Sequence, residues 1–151
     1  MADMMRIAGK TPSDTAAGIR VNSDGNLVEE KKWKYAYEKI LNAEEIRSTS
    51  AVVVTGGNVE DYGLISLRVY STLDQPIRIQ FYNDTATNGG SSVLNCLNSA
   101  WEVIIPADSK MYIITPDDIP FLNYLRYIKL RVVATATPTT GNVTIYLHKK
   151  G

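Results

Sequence analysis

Chemistry needs nucleophiles, acid/base pairs or metal ligands that converge, and this chain offers few of them. It has one histidine, His148, and one cysteine, Cys96. His148 falls on the polar face of a strand pattern beside Lys149 and Lys150, and no partners for a metal site or a Ser/His relay are evident. It reads as an exposed strand residue. A lone Cys96 has no intrachain partner and reads as a small buried apolar side chain. Carboxylates adjoin at Glu29/Glu30, Glu44/Glu45 and Asp117/Asp118, but neighbours on a strand point to opposite faces and seldom form a facing acid/base pair. Asp108, Asp117 and Asp118 lie in loops, without the spacing of an EF-hand, and read as solvated turn residues rather than calcium ligands. The pairs Gly56/Gly57 and Gly89/Gly90 lack the lysine and helix of a phosphate loop. No enzyme and no cofactor are expected.

Tyrosine is the unusual signal, with nine in 151 residues. Tyr70, Tyr82, Tyr127 and Tyr146 phase outward beside Arg68, Arg78, Lys129 and Arg131. Tyrosine with arginine is enriched at protein interfaces, exposed rings also stack on sugars, and long cations pair with tyrosine across any exposed sheet. All three readings stay open on this pattern.

The elements that position these residues are strands. In 121–147, Ile128, Leu130, Val132, Ala134 and Ala136 share one face and Tyr127, Lys129, Arg131, Thr135 and Thr137 the other, the two-residue period of a half-buried strand. After a turn at Pro138–Gly141, Val143, Ile145 and Leu147 resume the apolar face, so the two segments read as a hairpin. Ile65, Leu67 and Val69 alternate in the same way, as do Ile77, Ile79 and Phe81 after a turn at Asp74–Pro76, which reads as a second hairpin, and 101–105 with 111–115 reads as a third. Residues 31–46 are ambiguous, because Trp33, Tyr37, Ile40 and Leu41 have helical spacing while Trp33, Tyr35 and Tyr37 alternate. Context favours a strand near 33–41. Ala51–Val54 reads as a short strand ended by Gly56 and Gly57, and 83–92 as an exposed loop. About eight short alternating strands from residue 33 onward predict an all-β antiparallel sandwich of jelly-roll type.

Residues 1–32 read as an appendage to that domain, 33–151. Met4, Met5 and Ile7 are a small apolar group in a tail that cannot order alone, and Ile19, Val21 and Leu27 flank a hairpin turn at Asp24 and Gly25. An isolated two-stranded hairpin is marginal in water, so it packs on the domain or on a partner. Formal net charge is zero, which argues against the electropositive surface that sequence-independent nucleic-acid or membrane binding requires. No apolar stretch approaches the roughly 20 residues of a membrane helix and no secretory signal is evident, so synthesis in a cytoplasm is expected.

AGKTPSDTAAGIRVNSDGNLVEE (8–30), VEDYGLISLRVYSTLDQPIRIQFYND (59–84) and WEVIIPADSKMYI (101–113) resemble segments of small bacteriophage virion accessory proteins of the head-decoration and head-fibre type. That resemblance implies a jelly-roll domain on the capsid surface, held through the arm by the major capsid protein or other virion subunits. It also implies a homo-oligomer, for which a trimer suits capsid threefold positions. Met4, Met5, Ile7, Ile19, Val21 and Leu27 are then the anchoring residues. A carbohydrate-binding module of a tail, neck or fibre, recognising a host-surface glycan, is the alternative.

Overall fold

The computed structural model describes residues 9–10, 16–17, 23–24, 34–83, 93, 95–96 and 99–151. The chain divides into two compact units, Met1–Lys32 and Trp33–Gly151. In the first, β1 (Gly9–Lys10) pairs antiparallel with β2 (Ala16–Ala17), and residues 23–24 form a turn. Met4, Met5, Ile7, Ile19, Val21 and Leu27 lie outside the described residues.

The second unit is an all-β sandwich. Its long strands are β3 (Tyr35–Glu44), β4 (Val52–Asn58), β5 (Leu64–Ser71), β6 (Ile77–Phe81), β9 (Glu102–Ile105), β10 (Met111–Ile114), β11 (Tyr127–Ala134) and β12 (Val143–Lys150). Between β6 and β9 sits a small antiparallel pair, β7 (Asn95–Cys96) with β8 (Ser99–Ala100). One four-stranded sheet runs β10-β5-β12-β3 and the other β4-β11-β6-β9. The pairings nest: β3 with β12, β4 with β11, β5 with β10 and β6 with β9, all antiparallel. A chain folded double and then rolled into two sheets gives this order, which is the jelly roll.

The apolar phases fall where alternation places them. Ile65, Leu67 and Val69 of β5, Ile77, Ile79 and Phe81 of β6, Ile128, Leu130, Val132 and Ala134 of β11, and Val143, Ile145 and Leu147 of β12 are all buried in one core between the sheets. A 3-10 helix at Pro120–Tyr124, opened by its proline, buries Leu122 beneath the crossing from β10 to β11.

Three expected hairpins are corrected. β11 and β12, β5 and β6, and β9 and β10 each lie in opposite sheets. Their connections, 135–142, 72–76 and 106–110, exceed the two-residue turns that hold strands side by side. A stretch as short as 72–76 reaches roughly 17 Å when extended, more than the about 10 Å between packed sheets. Alternation fixes which side of a strand is buried but not which sheet the strand joins. Ala136 is also corrected: β11 ends at Ala134, and Ala136 is exposed in the connection.

Gly56 and Gly57 lie inside β4 rather than ending it. A Cβ on Gly56 would stand 3.1 Å from Ile128 Cγ2 and 3.2 Å from Leu147 Cδ2, so the position is glycine because side chains of both sheets meet over it. Gly57 has φ +83° where the β4–β11 register shifts, the glycine-dependent geometry of a bulge. Irregularity also explains the mixed signal in β3. Leu41 pairs with Ile145 and Lys39 with Tyr146, so Ile40 is an extra residue, and both Ile40 and Leu41 pack on the core. A bulge imitates helical spacing.

Candidate functional site

The outer face of the first sheet carries the richest chemistry. Its cross-strand rows are Tyr35–Lys150–Leu64, then Tyr37–His148–Ser66, then Lys39–Tyr146–Arg68–Ile113, then Thr144–Tyr70–Met111. Outward residues of neighbouring antiparallel strands stand close enough to pack, and here they form a continuous ring ladder. Tyr35 and His148 meet edge-on at 6.1 Å between centroids, His148 and Tyr37 at 4.6 Å, Tyr37 stacks on Tyr146 at 5.2 Å, and Lys39 Nζ lies 5.5 Å from the Tyr146 ring centre. Despite these contacts Tyr35 is 64% and Tyr37 52% exposed, and Leu64, Met111 and Ile113 on the same face are each half or more exposed.

His148 is partly buried rather than the exposed strand residue expected. Its Nδ1 is hydrogen-bonded to the Tyr35 hydroxyl at 2.8 Å, while its Nε2 is buried without a partner. Burial, followed by the nearby positive charge of Arg68, pushes its pKa below the ordinary value. A neutral imidazole therefore holds the Tyr35 ring in place at neutral pH.

Beside this ladder lies a pocket of about 380 Å³ lined by Tyr35, Leu64, Ser66, Arg68, Pro116 and His148, with Lys150 at its rim. Among the described residues none that lines it carries a carboxylate. Lys149 contributes to the wall, but its ammonium is paired with Glu38 at 2.7 Å and lies 5.2 Å from the Tyr62 ring centre. Tyr35 and Lys150 come from β3 and β12, Leu64, Ser66 and Arg68 from β5, and Pro116 from the loop after β10. All but the loop residue are placed by the period-two alternation of sheet strands.

The residues proposed from sequence as one interface or glycan face are divided between opposite sides of the sandwich. Arg68, Tyr70 and Tyr146 are on the first sheet. Arg78, Tyr82, Tyr127 and Arg131 are on the second, with Tyr82 just past the end of β6. On that second face Arg131 Nε donates to Gln80 Oε1 at 2.6 Å and Gln80 Nε2 donates to Glu102 Oε2 at 2.7 Å, a relay across three strands. Lys129 Nζ lies 4.8 Å from the Tyr82 ring centre. These contacts join the strands of the second face to one another.

The acidic loops act as turn locks. Asp118 Oδ2 accepts from Thr115 N at 2.9 Å, and Asp108 accepts from Lys110 N at 3.1 Å and from the Tyr112 hydroxyl. Among the described residues no group of three or more His, Cys, Asp or Glu side chains is placed to hold a metal. Tyr35, Tyr37, Leu64, Met111 and Ile113 are the face residues that the sequence pattern did not single out. Their signal was the outward phase that Tyr35 and Tyr37 share with Tyr146 and His148, visible only once β3 is paired with β12.

No protein-family model and no curated protein matches the chain. Among solved structures, a chain from the Bacillus endospore appendages, a novel family of disulfide-linked pili, is similar at 13% identity and a TM-score of 0.43. The match covers 81% of this chain and 93% of that one. A similarity this distant carries no argument about function.

Proposed function

We propose that the chain is a structural protein of a bacteriophage particle, a capsid decoration or head-surface protein held by its N-terminal arm to the major capsid protein or another virion subunit. One observation carries the reading: Tyr37, Met111 and Ile113, all half or more exposed, lie on one outer sheet face. Large exposed apolar and aromatic groups on one face suit contact with neighbouring subunits. The resemblance of segments 8–30, 59–84 and 101–113 to virion accessory proteins supplies the kind of assembly. Residues 1–32 form a unit of their own, and an arm that orders on a neighbour in many equivalent copies gains avidity without strong individual contacts. Copies of the chain meet through the Tyr37, Met111 and Ile113 part of this face, which leaves the pocket beside Tyr35 open, with a trimer as the arrangement that suits a threefold site.

Co-sedimentation with particles of the source phage tests the anchor. The full chain is expected to pellet with particles, and the body Trp33–Gly151, which has its own core, to stay folded and remain in the supernatant. Full occupancy by the body alone would overturn the anchoring role of the arm. Failure of the full chain to pellet would overturn the virion assignment.

A further inference from the structure

We infer that the pocket beside Tyr35 binds an acidic sugar residue, a uronate or sialate unit of a surface glycan, with its ring against Tyr35 and its carboxylate toward Arg68. This goes beyond the structural role and does not depend on where the chain is assembled.

Four features point to that ligand. The first is size: about 380 Å³ lies at the lower end of the roughly 300–1,000 Å³ of small-molecule sites, room for a saccharide unit and not for a folded element. The second is charge, since Arg68 lines the pocket and, among the described residues, no carboxylate does. An anion entering here meets the Arg68 guanidinium, which matches a carboxylate with two parallel hydrogen bonds where an ammonium offers a point charge.

The third is the platform. Tyr35 is 64% exposed, yet its hydroxyl is tied to His148 Nδ1 at 2.8 Å, so the ring is both accessible and held. The electron-rich face of an aromatic ring attracts weakly positive C–H groups, and a pyranose presents a patch of them. His148 is here a positioning residue. The fourth is the polar remainder: Ser66 lines the same pocket, and its hydroxyl both donates and accepts, as a sugar hydroxyl requires. An acidic peptide fits less well. Extended peptides gain affinity by adding to a sheet edge, whereas this pocket lies over β12 and β5, the two inner strands of the first sheet.

The test is an NMR titration of the isotopically labelled full chain with a hyaluronan tetrasaccharide, 3′-sialyllactose, lactose and hexaglutamate. The expected result is saturable shifts at Ser66, Arg68, His148 and Lys150 with at least one of the two acidic saccharides, and binding of lactose weaker by about tenfold or more, as loss of a charge-assisted hydrogen bond implies. Arg68→Gln and Tyr35→Ala should each weaken binding by a similar factor. Tyr124→Ala, which removes another exposed ring, on the 3-10 helix, should leave it unchanged. Absence of saturable shifts with both acidic saccharides in the millimolar range, equal binding of lactose or hexaglutamate, or undiminished binding by a folded Arg68→Gln chain would each overturn the inference.

Discussion

Three glycine-to-alanine substitutions separate backbone strain from packing in this fold. At Gly57 φ is +83° and an added Cβ meets nothing within 4 Å, so only the left-handed backbone is penalised, by about 1–2 kcal/mol. At Gly56 φ is ordinary, but the Cβ falls 3.1–3.2 Å from Ile128 and Leu147, an overpacking cost of about 1–3 kcal/mol. Gly141 combines both: φ is +88°, and the Cβ would sit 2.0 Å from the Thr72 carbonyl oxygen and 2.6 Å from Leu73 N. Those atoms are main chain, so the connection must move. The movement threatens the bonds from Thr72 N to Asn142 O at 2.9 Å, from Asn142 N to Thr72 Oγ1 at 3.0 Å and from Arg47 Nη1 to Gly141 O at 2.8 Å. With about 1 kcal/mol for each of two or three bonds added to the strain, Gly141→Ala is expected to cost about 3–5 kcal/mol. Equilibrium urea unfolding of the full chain measures all three at once. A Gly141→Ala chain within about 1 kcal/mol of the parent, or one no worse than Gly57→Ala, would refute the reasoning, because the clash would then be relieved without loss.

Three further outcomes follow from the polar contacts. Gln80→Leu strands both Arg131 Nε and Glu102 on the second face and should lower stability by about 1–3 kcal/mol; a double-mutant cycle with Arg131→Ala is expected to show coupling, and strict additivity would sink the relay. Acid stability is set in part by Asp74, whose carboxyl is held below its usual range by hydrogen bonds from the Thr139 side chain and backbone. A depressed folded pKa means that the unfolded chain binds more protons, so this stabilisation is present above the unfolded value of about 3.9 and is lost as pH falls through the folded one. Asp74→Asn should therefore flatten the stability profile below about pH 4, and a profile parallel to the parent's would contradict the assignment. For His148, lowered by burial and then by Arg68, the same sign applies at higher pH. Stability is expected to fall as pH drops below about 6.5, and His148→Gln should remove that slope in a pH series of urea midpoints.

Much of the sandwich was legible because alternation is a local property. The buried phases of Leu130, Leu67, Ile79 and Ile145 follow from side-chain period alone, and so does the strand count. Sheet membership is not local: β11 and β12 are neighbours in sequence yet lie in opposite sheets, and nothing in the Pro138–Gly141 stretch distinguishes a turn from a crossing. The same gap divided the tyrosine and arginine set. Tyr70 and Tyr127 both point outward, but into solvent on opposite sides. Gly56 reads as a strand end by propensity, whereas Ile128 and Leu147, distant in sequence, dictate glycine there. The pocket was hidden for a related reason, since Tyr35, Arg68, Pro116 and His148 come together only through pairing across three strands and one loop.

The most direct test of the proposed virion role is quantitative mass spectrometry of bacteriophage particles produced from the genome that encodes the chain, after density-gradient purification. This chain is expected in a fixed ratio to the major capsid protein, unchanged by a salt wash that strips loosely bound protein. Its absence from purified particles, or a trace amount that varies between preparations, would contradict that role.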